Sequence, residues 1–191
     1  MTGRSDFDQN IIELSSIPGG TGLMADTRWL DEGEQRTWRT FLAAVHLLEG
    51  SLDRQLRRDS GLPHAYYQAL AMLSEAPGGA LTMTELAGLL RSSPSRLSHA
   101  AARLEEDGLI HRFKRLGDRR TTIAELTPRG LKVLREAAPG HVREVRRVLF
   151  DSLTREQVDQ LREISEVMLG ELDPEGREPR CPGSGGAGGR D

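Results

Sequence analysis

Five positions in this 191-residue chain carry the chemistry of a helix N-terminus, and they leave little room for anything but helices. Asp31 with Glu34, Thr82 with Glu85 and Thr154 with Gln157 match the capping box. In that motif one side chain accepts from the N–H three residues on, and the residue there reaches back. Ser93-Pro94 and Thr127-Pro128 set a cap directly before proline at the first helical position, where its missing N–H costs nothing. Pro63 opens a further helix that Pro77-Gly78-Gly79 closes. The helices predicted are 31–58, 63–76, 82–90, 94–107, 128–150 and 155–172. Only 109–126 reads as extended: LIHRFKR and RTTIAEL are rich in β-formers and flank the turn residues Gly117 and Asp118. The chain is therefore mainly α with a small β-hairpin.

The helix at 94–107 divides into two faces. Leu97, Ala101 and Leu104 recur at spacings of four and three and form a core stripe. Around the first turns of the other side stand Ser95, Arg96, Ser98 and His99, followed by Arg103, with Ser93 as the cap. All can donate hydrogen bonds and none is acidic, which suits phosphates and base edges. An ordinary solvated face is the alternative. Charge distribution favours the first reading: residues 82–120 carry eight Lys and Arg against five Asp and Glu. The flanks are acidic, with seven against eleven over 1–81 and eleven against thirteen over 121–191. A basic segment in an acidic frame presents one surface to a polyanion.

The hairpin carries the same sign. Lys114, Arg115, Arg119 and Arg120 surround its tip, and like charges across a tight turn repel, so the tip reads as a binding element. Asp118 is the acid among them and has two readings. It orients Arg120, two residues along the same strand face, or it caps the turn by accepting a backbone N–H. Helix, helix, base-reading helix and basic hairpin, in that order over 63–126, make a winged helix-turn-helix.

The outer helices are striped for packing on other helices. Trp38, Phe41, Val45, Leu48, Leu52 and Leu56 follow three- and four-residue spacings, as do Leu131, Leu134, Ala138, Val142, Val145 and Leu149. Val158, Leu161, Ile164, Met168 and Leu172 continue the pattern. Long stripes on 31–58 and 128–172 suit a dimerisation stalk and a two-fold homodimer; packing within one chain is the other possibility. Pro139-Gly140 interrupts the stalk and reads as either a hinge or a static kink.

LTMTELAGLL, SSPSRLSHAAARLEEDGLIHR, GDRR and AELTPRG together resemble the MarR family of bacterial transcriptional regulators over residues 31–172. The most specific part is RLEEDGLI, then DRR, then LT with Gly130. The resemblance implies an obligate homodimer on a pseudo-palindromic double-stranded operator, with 94–107 in the major groove and wing arginines at the minor groove. It also implies release of DNA, in many members, by a small aromatic or phenolic molecule. The chain departs from the family's pattern at Ser98-His99, where a Thr-Arg pair is common, and at Ala102, where Asp is common. Histidine is shorter than arginine and only partly charged near neutral pH. His99 is thus read as a phosphate contact or as a solvated residue. Trp38, His46, Arg54, Tyr66 and Tyr67 are read either as an effector pocket between the first two helices or as packing residues.

Other chemistries find no support in these residues. There is no GxSxG elbow or phosphate-binding GxxxxGK loop, so no enzyme is expected. No cofactor is expected either. His46 and Glu49, three apart, fall short of a metal set. Cys181, the single cysteine, lies in CPGSGGAGGRD and forms no disulfide framework. Residues 1–28 and 173–191 read as disordered, Met24 as a possible translation start, and the protein as cytoplasmic without a membrane span. A winged helix that binds only protein is the second functional reading. It would carry an uncharged or acidic helix and wing.

Overall fold

The computed structural model describes residues 27–173. The expectations for 1–26, Met24 among them, and for 174–191 with Cys181 lie outside the described residues, as does the side chain of Arg119. The elements are α1 (Glu32–Ser60), α2 (His64–Glu75), β1 (Ala80–Thr82), α3 (Met83–Leu89), α4 (Pro94–Glu106), β2 (Ile110–Arg115), β3 (Asp118–Leu126), α5 (Pro128–Val148) and α6 (Arg155–Leu172). Short 3-10 turns lie at Pro77–Gly79 and Phe150–Ser152. No helix among them is long and apolar enough to cross a membrane.

The residues up to Ala43 form a unit of their own, which holds the capped start of α1. Asp31 Oδ1 accepts from the Glu34 N–H at 2.8 Å, and Glu34 Oε2 accepts from the Asp31 N–H at 2.9 Å. Trp29, Trp38 and Phe41 are exposed here.

From Ala44 onward the chain has one core. Leu56, Leu70, Leu73, Leu86 and Leu104 are wholly buried, with Leu97 and Ala101 of α4 and Ala124 of β3 beside them. The expected stripe of α4 is the face that packs. Beneath it lies a three-stranded antiparallel sheet of order β1-β3-β2, where a two-stranded hairpin was expected. β1 pairs Ala80 with Glu125, Leu81 with Ala124 and Thr82 with Ile123. Three residues are too few to display a two-residue period, and tertiary pairing makes the strand.

The wing meets α5 in a tight junction. Thr127 Oγ1 accepts from the Gly130 N–H at 3.0 Å and lies 2.8 Å from the Gly108 carbonyl oxygen and 3.0 Å from that of Leu109. A Cβ on Gly130 would stand 2.0 Å from the Leu109 oxygen, so glycine is what allows α5 to approach the sheet.

α5 is not interrupted at Pro139; it runs unbroken from Pro128 to Val148 with the proline inside. Proline withdraws one helical donor and crowds the preceding turn, but the helix is anchored on both sides of it. Leu134 and Ala137 are buried before it. After it, Glu144 accepts from Ser51 of α1 at 2.6 Å. Arg147 and then Ser51 hold the Glu144 carboxyl down at about 2, so it stays charged and keeps this tie.

Candidate nucleic-acid interface

Capping chemistry sets the direction of α4. Ser93 Oγ accepts from the Arg96 N–H at 3.3 Å, and Pro94 occupies the first turn. With Leu97, Ala101 and Leu104 turned into the core, the residues between them must face out. Ser95, Arg96, Ser98 and His99 are exposed on that face. Arg96 has no side-chain hydrogen bond or ion pair among the described residues, so its guanidinium donors are free for another molecule. Arg103 differs: its Nη1 donates to Glu106 Oε2 at 2.8 Å. It neutralises the last turn of its own helix.

The wing is stiffened from within. Lys114 Nζ donates to Thr122 Oγ1 across the strands at 2.8 Å. Arg115 is opposite Asp118, leaving the two-residue turn Leu116-Gly117, and Gly117 takes φ +82. Of the two readings of Asp118, the structure shows the turn cap. Its Oδ1 accepts from the Arg120 backbone N–H at 2.9 Å and its Oδ2 from the Thr121 hydroxyl at 2.5 Å. These bonds, the hydroxyl first, hold its carboxyl below the usual range. Among the described residues no ion pair joins it to the Arg120 guanidinium, and a one-carbon side chain reaches nearby backbone N–H groups readily. Arg120 is exposed and unpaired among the described residues.

A clamp between recognition helix and wing was missed in the sequence. Glu105 of α4 accepts from the Arg112 backbone N–H at 2.8 Å, and from its Nε at 2.9 Å and Nη2 at 2.7 Å. Both side-chain donors meet Oε2 while Oε1 takes the backbone N–H, and these bonds keep the Glu105 carboxyl below its ordinary pKa, chiefly through the Arg112 side chain. The clamp fixes the angle between α4 and β2. Acid and arginine lie seven residues apart across a turn, so no helical or strand spacing announces them.

The residues read as an effector pocket occupy different environments. Trp38, His46 and Arg54 are exposed, and the neighbouring tyrosines part company. Tyr66 is half-buried and packs against the edge of the core. Tyr67 is buried, its ring centroid 4.4 Å from that of His141, which in turn is 5.5 Å from that of His64. Two consecutive residues on a helix diverge by about 100°, so the two rings meet different neighbours. Burial lowers the pKa of both histidines, and each is neutral near pH 7. The His141 Nδ1 and the Gln55 Oε1 are buried without a hydrogen-bond partner among the described residues. No group of three His, Cys, Asp or Glu among the described residues is placed to hold a metal.

A sequence model of the MarR family matches residues 60–121, from the end of α1 into β3. Sco3205, a MarR family transcriptional regulator from Streptomyces coelicolor solved in complex with DNA, is 48% identical. Its alignment covers 79% of this chain and 94% of that one, with a TM-score of 0.76. The chain belongs to the MarR family. AbsC, a second MarR family regulator from Streptomyces coelicolor, is 38% identical over 78% of this chain and all of its own, with a TM-score of 0.73. The organohalide-sensing regulator RdhR-CbdbA1625, in its 2,4-dichlorophenol-bound form, is similar in fold at 22% identity, covering 81% and 92% of the two chains with a TM-score of 0.66. No curated protein matches the sequence. The MarR winged helix accounts for the order α2, β1, α3, α4, β2, β3, and the strand absent from the sequence reading is part of it.

Proposed function

We propose that this MarR protein is a cytoplasmic transcriptional repressor that binds an inverted-repeat operator as a homodimer. The carrying observation is the exposed, unpaired Arg96 among Ser95, Ser98 and His99 on the one face of α4 that the core does not use. The DNA complex of the 48%-identical Sco3205 supports the same partner. Two copies related by a two-fold axis would read half-sites about one helical turn, roughly 10 bp, apart. Ser93, Ser95, Ser98 and His99 donate around Arg96, while Lys114, Arg115 and Arg120, with Arg119, supply phosphate and minor-groove contacts from the wing. The protein-only reading fits poorly, because a surface of this sign would repel no polyanion and would need an acidic partner.

Arg96→Ala is expected to relax preference at one base pair by about 1–3 kcal/mol, while leaving binding to random duplex DNA nearly unchanged. Competition binding against single-base operator variants reads this out. Equal losses on operator and random DNA would remove the base-reading role.

Release by a small aromatic or phenolic effector is the second part of the proposal. It is supported by the cluster of Tyr67, His64 and His141, in which the buried His141 Nδ1 has no hydrogen-bond partner among the described residues. Phenol and benzoate are expected to raise the melting temperature and to lower operator affinity, and Tyr67→Phe with His141→Leu to abolish both effects. If neither compound shifts melting or affinity, the effector reading fails and the DNA reading stands.

A further inference from the structure

Leu116 occupies the tip of the wing and is fully exposed, at 101%. Nothing in the turn calls for it. Two-residue hairpin loops favour Asn, Asp or Gly because these tolerate the backbone and keep it solvated. Gly117 already supplies the positive φ, and no atom lies within 4 Å of where its Cβ would be. The stem below is held firmly, by Lys114 on Thr122 and by Asp118 on the Arg120 N–H and Thr121. A rigid stem therefore presents one large apolar side chain. Lys114, Arg115 and Arg120 are exposed around it.

That cross-section, apolar at the centre and cationic at the edges, is complementary to a minor groove. Phosphates form its two ridges, and A·T pairs leave a narrow floor with only acceptors. A G·C pair instead raises the guanine N2 amino group from the floor. Covering that donor with leucine would strip its water and return no hydrogen bond. Apolar side chains do enter the minor groove in other proteins, where they wedge between base steps.

Resting on the DNA-binding reading, we propose that Leu116 is a specificity-determining residue. It seats against the minor-groove floor beside the wing cations and selects A·T pairs beneath the wing.

The experiment uses a duplex that the full chain selects from random sequence, with the A·T pairs beneath the wing replaced in three ways. Inosine·C keeps the A·T pattern in the minor groove, whereas G·C and 2,6-diaminopurine·T both add the amino group. The wild-type protein is expected to bind the A·T and inosine·C duplexes alike and to lose about tenfold on the other two. In Leu116→Ser, a substitution a turn accepts, the four duplexes should fall within about twofold of one another, with the slope of log affinity against log salt unchanged. Arg120→Ala should do the reverse, lowering that slope by about one and keeping the discrimination. An unchanged melting temperature shows that Leu116→Ser is folded. Retention of the full discrimination by Leu116→Ser overturns the assignment, as does a wild-type protein that selects a duplex but ignores the added amino group. A wild-type protein that selects no duplex overturns the DNA-binding reading itself, and this inference with it.

Discussion

Gly130→Ala is expected to cost at least about 3 kcal/mol of stability, the largest effect of adding a methyl group at any glycine among the described residues. The added Cβ would stand 2.0 Å from the Leu109 carbonyl oxygen, 3.0 Å from its carbonyl carbon and 2.8 Å from Leu126 Cδ1. Two of the three obstacles are backbone, which no rotamer change can move. Relief requires α5 to back away from the sheet. That would stretch the Thr127 N–H bond to the same Leu109 oxygen, now 3.1 Å, and the cap from Gly130 to Thr127. Gly170→Ala provides the control, since a Cβ there meets nothing within 4 Å and alanine is the better helix former. Urea denaturation of both variants should show one strongly destabilised and the other neutral or slightly improved. A cost below about 1 kcal/mol for Gly130→Ala would mean that the junction yields more readily than close-packed backbone does.

The same junction shows why some of this fold is legible in sequence and some is not. Caps are local: Thr82 with Glu85 and Thr154 with Gln157 form both reciprocal bonds of the capping box, and Ser93 and Thr127 accept the bonds their positions imply. The stripe of α4 is local too, because helical periodicity alone turns Leu97, Ala101 and Leu104 inward. What depends on a distant partner is silent. β1 exists only because β3 lies beside it. The Glu105–Arg112 clamp forms only once the chain has turned at Gly108 and brought strand to helix. His141 meets Tyr67 and His64 from more than seventy residues away, and no spacing rule joins them. Asp118 is a mixed case: both its options were readable, and the nearer backbone N–H is the one it takes. Burial of Tyr67 against His141 depends likewise on α5, which no spacing within α2 announces.

Removing residues 155–172 is expected to convert the protein to a monomer and to weaken operator binding by at least about 100-fold. α6 buries none of its side chains. Ile164, Val167, Met168, Leu169 and Leu172 are 58%, 68%, 37%, 51% and 77% exposed. Eighteen residues with that much apolar surface do not hold a helix in water by propensity alone. Covering each such side chain is worth about 1.5–3 kcal/mol. A second copy offers a matching surface, since Val45, Leu47 and Val142 are exposed as well. Losing the partner would leave the remaining reading unit to bind one half-site without the gain from tethering. Sedimentation and operator binding test both consequences, and Val167→Glu with Leu172→Glu tests them without shortening the chain. Both side chains are exposed, so the charges should spare the core of the single chain and oppose only the pairing. A truncated or charged variant that still sediments as a stable dimer and binds operator with wild-type affinity would show that α6 does not form the interface. The exposed stripe on α6 would then be covered by something other than a second copy.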